Sequence, residues 1–497
     1  MSLTQHFPVL VIVIPLFFAY LMPLLARWFK DLVVPAALGA LTIIFVISLY
    51  MAHQVMVTGP FSYQLGNWAP PWGIELTVDY LAAFIAVTLT GVGLLIVYYG
   101  IKDLVHELKS QVTGWYYTLY LLLMASMLGI TLTNDLFNLF VFVEICAIAS
   151  CGIISIKESR ECIEAAFKYL VLSAVGSGCI LLAIAMLYMV TGHLNFAFVA
   201  AELPRAMQHF PYNLLTALAL LMVGLGVKAA LFPLHVWLPD AHSSAPSPSS
   251  AVLSGLVIKV YAVAMIKLLF KVFPPNLLGM APVLNMILWM ATLAIIIGSM
   301  FAIVQDDIKK MLAYSSIAQI GYVFLGIGLA SENGLAGGIL HIFNHAIMKS
   351  MLFLAAGAFI YSTGTRKLSE LKGIGHTMMI PTVAFSIGAF AMVGIPMTNG
   401  FISKWFLALG ALDINRPFFA AVILVSSLLN GIYYLPIIVN AFFGEPEGRV
   451  AEPKPLPKQM SVPLVILAAS VIVFGLFPYH TVVGIVTKAA QSLLGLL

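Results

Sequence analysis

Runs of roughly twenty apolar residues, the length that crosses a bilayer, recur fourteen times along this chain, at 8–26, 32–53, 78–99, 114–133, 135–156, 163–190, 213–232, 247–271, 282–303, 311–330, 334–362, 376–397, 417–443 and 461–487. In lipid, a segment must satisfy its own backbone hydrogen bonds, which leaves helices as the way for such runs to span. The sequence therefore predicts an all-α polytopic membrane protein. Only 9% of its residues are charged, against about 25% in a soluble domain. The net charge of +4 is small and is read through loop position, not as a nucleic-acid signal. Cys146, Cys151, Cys162 and Cys179 sit in or beside apolar spans without a CxxC, which is the wrong spacing for zinc or an iron–sulfur cluster. They read as small buried hydrophobes.

Loop charge checks the span count. Loops after odd-numbered spans hold fourteen Lys and Arg: Arg27, Lys30, Lys102, Lys109, Lys157, Arg160, Lys309, Lys310, Arg366, Lys367, Lys372, Arg449, Lys454 and Lys458. The other side holds five: Arg205, Lys267, Lys271, Arg416 and Lys488. The positive-inside rule places the odd loops in the cytoplasm and both termini outside, in the inner membrane of a prokaryote. No cleavable signal peptide is evident: the first apolar run has no basic region before it. The segment 54–77, rich in Gly, Pro and aromatics, predicts an ordered outer hairpin with Trp68 and Trp72 at the interface. The polar stretch 444–460 predicts a cytoplasmic linker. No soluble catalytic module, phosphate loop or metal-ligand cluster appears, so the chain is expected to have no active site of its own.

The five remaining basic residues, Lys168, Lys228, Lys259, Lys349 and Lys404, fall inside spans. A charge at membrane depth is costly and marks a functional site by default. Lys228 and Lys259 flank a segment interrupted by Pro233, Pro239, Pro246 and Pro248. A broken helix survives in lipid only where protein or a water-filled cavity satisfies its freed backbone. Lys404 follows a second break, at Pro396 and Gly400. Glu144 lies nine residues past Asp135 and so about 13.5 Å along its helix; it must pair, protonate or face a cavity. A lysine between desolvation and such a carboxylate can exchange its proton as the carboxylate moves, which arginine cannot do. His341, His345 and Lys349 form an i, i+4, i+8 stripe. HxxxH can bind zinc, but Ile342 stands where the HExxH pattern has Glu; a proton relay fits histidine better. Lys168, five residues into its span, can also snorkel to the interface. Asp135 and the break residues His235, Asp240 and His242 are accessory candidates that can equally cap backbone groups. Two broken helices, each with its lysine, are the pattern of an inverted-repeat transporter. The weak correspondence of 114–271 with 282–443 fits it.

Four long stretches carry a resemblance: KAALFPLHVWLPDAHSSAPSPSSAVLSGLVIK, DIKKMLAYSSIAQIGY, HIFNHAIMKSMLFLAAG and GIPMTNGFISKW. In this order they resemble the antiporter-like membrane subunits shared by respiratory complex I, Mrp-type cation/proton antiporters and membrane-bound hydrogenases, over nearly the whole chain. The resemblance implies fourteen helices with two inverted five-helix repeats and discontinuous helices seven and twelve. The chain then divides into 1–113 (helices one to three), 114–271 and 282–443 (the repeats), and 444–497 (linker and last helix). It implies a proton pathway through Glu144, Lys228, Lys259, His341, His345 and Lys404, with Lys168 and Lys349 beside it. It also implies a subunit without cofactors of its own, whose iron–sulfur or Ni–Fe centres belong to hydrophilic partners. The complex is expected to be a hetero-oligomer in the membrane that moves H+, with exchange for Na+ left open. Lys404 argues against the complex I subunit type with Glu there. The longest complex I homologue carries a lateral helix that this chain lacks. Both features lean toward a D-like Mrp or hydrogenase-type subunit. A Mrp antiporter without redox partner, and more remotely a stand-alone solute carrier, are the alternatives to a redox-driven pump.

Overall fold

The computed structural model describes residues 3–273, 281–445 and 455–497. They form a bundle in which thirteen helices are long and apolar enough to cross a membrane. The first five elements are α1 (Phe7–Trp28), α2 (Val33–Thr58), the strands β1 (Phe61–Gln64) and β2 (Glu75–Val78), and α3 (Tyr80–Glu107). The strands pair antiparallel and form the expected hairpin, with Trp68 and Trp72 exposed. There follow α4 (Thr113–Leu132), α5 (Leu136–Ser155), α6 (Arg160–Thr191), α7 (Phe196–His209) and α8 (Pro211–Lys228). Asp135 starts α5 by accepting the Asn138 N–H at 2.7 Å, an N-cap that replaces a missing helical partner. α7 lies outside every predicted span. Its 14 residues bury only Phe196, Val199, Leu203 and Ala206, a helical stripe three or four apart that rests on the bundle and is too short to cross.

α8 stops at Lys228, and the chain resumes as α9 (Leu238–Ser244) and α10 (Ser247–Val252). A π-turn at Leu253–Val257 leads into α11 (Ile258–Lys267), which ends in a second π-turn at Leu268–Val272. The apolar window of Ser247–Val272 is buried throughout, so this helix is wrapped by others. The rest of the chain forms α12 (Ala281–Ile303), α13 (Ile308–Leu329), α14 (Glu332–Thr363), α15 (Met379–Val393), α16 (Asn399–Asp413), α17 (Pro417–Phe443), α18 (Lys458–Leu476) and α19 (Gly484–Leu494).

Two expectations change in form. The twelfth predicted span, 376–397, is α15, whose 15 residues reach only about 22 Å at 1.5 Å each. It ends at Gly394 (φ 90°) and Met397 (φ 74°) before α16 begins. The last predicted span, 461–487, is two helices, because the α18 end at Phe477 is followed by Pro478 and a π-turn. The polar stretch 444–460 is described only at its ends; Arg449 and Lys454 lie outside the described residues.

Small residues let the helices that matter most approach closely, the usual device where lipid offers no hydrophobic driving force. A Cβ on Gly224 of α8 would stand 2.6 Å from the Gly176 carbonyl of α6. A Cβ on Gly410 of α16 would meet the Gly334 backbone of α14 at 2.4 Å.

Candidate functional site

The close α6–α8 contact brings one face of α6 against the end of α8. Lys228, 1% exposed, donates to the Ser173 hydroxyl at 2.8 Å and pairs with the Glu144 carboxylate of α5 at 3.5 Å. Ser177, one turn along α6 from Ser173, hydrogen-bonds the same carboxylate. The Tyr261 ring of α11 lies 5.9 Å from the ammonium. The break beside Lys228 is satisfied by protein: Trp237 donates its indole N–H to the Val227 carbonyl at 2.8 Å, and the Leu231 N–H reaches Gly226 at 2.9 Å. Glu144 is a third exposed, so the pair has one buried end and one accessible end.

Lys259, equally buried, turns back to the Ser254 carbonyl. The π-turn over Leu253–Val257 widens the helix at that carbonyl. Ser254 and Ser316 of α13 share a hydrogen bond of 2.7 Å. Lys349 donates to the Leu312 carbonyl at 2.9 Å and the Ser315 hydroxyl at 3.0 Å. His345 lies within electrostatic reach of both Lys259 and Lys349, with neither ring nitrogen hydrogen-bonded among the described residues. It stacks on His341 with centroids 5.8 Å apart and planes 16° from parallel. His341 in turn contacts Ser403 at 2.9 Å and Gln319 at 3.0 Å, and its ring packs 5.1 Å from Tyr322. The Lys404 ammonium lies 5.0 Å from the Tyr322 ring. His345, His341 and Tyr322 form a buried aromatic column that leads from the centre of the bundle to Lys404 at the second break.

At that break Lys404 donates to the Met392 and Val393 carbonyls at 2.8 and 3.0 Å and to Ser427 at 3.1 Å. These carbonyls end α15 and have no helical partner of their own. Among the described residues, no carboxylate lies within ion-pair distance of Lys259, Lys349 or Lys404.

A model of the NADH:quinone oxidoreductase/Mrp antiporter transmembrane family matches residues 133–430. NADH-quinone oxidoreductase subunit N of Desulforudis audaxviator is 38% identical, over 98% of this chain and 99% of that protein. The chain belongs to this antiporter family. The D-type subunit of the Na(+)/H(+) antiporter of Alkalihalophilus pseudofirmus is 32% identical, over 86% of this chain and 85% of its own. Among solved structures, a chain of the membrane-bound sulfane sulfur reductase, an archaeal respiratory membrane complex, superposes with a TM-score of 0.91 at 32% identity, covering 98% of this chain and 97% of that one.

Within this antiporter-family bundle, Glu144 and Lys228 meet at the first break, Lys259, Lys349, His345 and His341 cluster in the buried centre, and Lys404 stands at the second break. Lys168 lies apart from them. Its ammonium, half-exposed, bridges Asp240 at 3.0 Å and Glu164 at 3.2 Å in an open polar cavity of about 390 Å³. His235 stacks on Phe232 at 5.2 Å. His242 is fully buried with both ring nitrogens unpartnered among the described residues. Asp135 is the α5 cap. Sequence reasoning missed Ser173 and Ser177, which share a face of α6 at i, i+4. It also placed Lys267 and Lys309 in loops, whereas both are buried. Lys267 donates to the Thr131 carbonyl at 3.0 Å and to that of Thr133 at the end of α4; Lys309 donates to the Ala245 carbonyl beyond α9. Apolar runs that end on a lysine give no sign of which way its stem folds back.

Proposed function

We propose that this chain is the proton-translocating, antiporter-like subunit of a redox-driven membrane complex, with its proton path running from the Glu144–Lys228 pair through Lys259 and the His345–His341 column to Lys404. The observation that carries this reading is the buried ion pair at the end of an interrupted helix. A lysine ammonium with one carboxylate and one hydroxyl partner is held charged only while that carboxylate stays. When the pair opens, Lys228 sheds its proton toward Lys259, and Tyr261 and Ser254 line the interval. Moving a charge against the membrane potential takes about 2.3 kcal/mol per 100 mV, so a change of a few kcal/mol in the strength of this pairing is the right size to move one proton.

In this reading α15 with α16 is the twelfth of fourteen helices, 114–271 and 282–443 are inverted repeats each holding one break, 1–113 and 444–497 flank them, and the basic loops face the cytoplasm of a prokaryotic inner membrane. The two interrupted helices, each ending beside a buried lysine, support the repeat. Redox centres reside in partner subunits; the similarity to an NADH-quinone oxidoreductase subunit over nearly its whole length supports such partners. The test is proton transport by membrane vesicles carrying the assembled complex: Lys228→Ala and Glu144→Ala abolish it while the complex still assembles. Pumping at the wild-type rate in both variants would sink the mechanism.

A second reading, a D-like subunit of a Mrp antiporter without redox partner, is favoured by the 32% identity to the D-type subunit of a Na(+)/H(+) antiporter. Purification in mild detergent separates the two. Iron–sulfur subunits co-purify under the first; under the second only small membrane proteins do, and Na+ addition collapses a pH gradient.

A further inference from the structure

The end of α3 carries two acids that the path above does not use. Asp103 is 1% exposed, and apart from Glu107 neither of its oxygens has a hydrogen-bond partner among the described residues. Glu107 lies one turn further on. It accepts the Ser247 N–H at 3.1 Å and the Ser247 hydroxyl at 2.8 Å, so it caps the start of α10, and it pairs with Lys157. Glu107 is thus tied to a cation and a helix N-terminus, both of which favour its charge. Asp103 has a like charge beside it and no other partner. Two adjacent carboxyl groups out of water cannot both ionise cheaply and instead share a proton.

The surroundings point the same way. The hydroxyl of Tyr116 on α4 lies against Ser249 of α10 and within electrostatic reach of both acids, yet both hydroxyls are buried without a hydrogen-bond partner among the described residues. On α13, Lys309 lies within electrostatic reach of Asp103 and Glu107, although its ammonium donates to the Ala245 carbonyl. His242 lies within electrostatic reach of Lys259, Lys309 and Lys349, with the Leu238 backbone beside its ring. The charged and titratable groups facing the acids are therefore Lys157, Lys309, Tyr99 and Tyr116.

We propose that Asp103 and Glu107 hold one proton between them and form a proton-loading site that serves Lys259 through His242. The carboxyl proton of Asp103 leaves for a neutral Lys309, which lies within electrostatic reach of both acids and of His242; the resulting ammonium protonates one nitrogen of the neutral His242 ring, the ring passes a proton from its other nitrogen to a neutral Lys259, and the acid pair is reloaded from the Lys157 side. The site rests on the proton-path reading only for its transport consequence; the shared proton stands without it.

Two measurements on the full complex test it. In an infrared difference spectrum between acid and alkaline pH, the wild type shows a protonated carboxylic acid that Asp103→Asn removes. In vesicles, Asp103→Asn lowers proton transport by about a hundredfold, the size of a lost acid–base group, and Asp103→Glu restores most of it. If the Asn variant fails to assemble, Glu107→Gln is read instead: it removes one partner of the shared proton, and the carboxylic acid band shifts in frequency. An unchanged spectrum in these variants, or wild-type transport in Asp103→Asn, overturns the site. Lys228→Ala in the same vesicles tells the two failures apart. If it is inactive while Asp103→Asn is normal, only the loading site falls; if it pumps normally, the path itself falls.

Discussion

The two interrupted helices each present one buried lysine, but they hold it by different means. Lys228 at the end of α8 has a carboxylate 3.5 Å away. Lys404 beside the end of α15 has backbone carbonyls and one hydroxyl. When Lys404 loses its proton, it leaves neutral dipoles behind. When Lys228 does, it leaves the Glu144 anion, which draws in a replacement cation or proton. The same backbone device therefore serves two electrical tasks: the first break holds a charge against an ionic partner, and the second offers a place where a charge can arrive and depart.

The largest effect that would break this contrast is removal of the lysines. Lys228→Ala and Lys404→Ala are each expected to abolish proton transport without loss of assembly, read in the same vesicle assay. Arginine sharpens the comparison: Lys404→Arg keeps donors for the Met392 and Val393 carbonyls but cannot release a proton, so a normally assembled, inactive complex is expected. Transport above about a tenth of wild type in that variant would show that Lys404 holds structure only. Next in size is Glu144→Gln, which acts at one break alone. Losing the carboxylate removes the one ionic partner of Lys228 among the described residues, so transport is expected to fall by about tenfold or more, the equivalent of ~1.4 kcal/mol. A smaller and equal pair comes from Ser173→Ala and Ser427→Ala. Each deletes one of several polar contacts to a lysine and is expected to lower transport severalfold, less than the tenfold of Glu144→Gln.

The smallest expected change lies outside both breaks, at the start of α3. Burial opposes ionisation of Asp79, but Lys271 and Lys267 outweigh it and hold the carboxyl below its ordinary value of 3.8. A depressed carboxylate contributes stability that is present above that value and lost as the pH falls below it. Asp79→Asn is expected to lower the melting temperature of the detergent-solubilised complex near neutral pH and to lose that difference in strong acid. A gap that persists in acid would assign the effect to the N-cap alone.

Much of this arrangement was legible in the residues. Long apolar runs dictate helices in lipid, and thirteen helices among the described residues are long and apolar enough to cross. Lysines in apolar surroundings beside prolines marked both breaks, through Lys228, Lys259 and Lys404. The resemblance carried by four long motifs matched the family. What could not be read is local geometry. The π-turns at Leu253–Val257 and Leu268–Val272 have no composition of their own, since an α-helical run of the same residues is equally apolar. The partners of Lys259 and Lys404 are main-chain carbonyls, which every residue carries and no pattern reveals. Lys267 and Lys309 sat at the edges of apolar runs, where a long stem can turn to water or fold back. Asp103 and Glu107 were readable as an i, i+4 pair of acids at the end of a span, and that spacing is the signal that would have found them.

The contact between Gly176 and Gly224 has a mechanical consequence. Helices α6 and α8 touch backbone to backbone, so the floor on which Lys228 stands cannot slide or rotate without a collision of main chains. Ser173 and Ser177 are mounted on the same wall and are equally fixed. Any stroke that opens the first station must come from parts not clamped in this way. Those are the short link from Ala229 to Trp237 and the accessible carboxylate on α5. The first station is therefore built as a fixed jaw and a moving jaw, and the two glycines determine which is which.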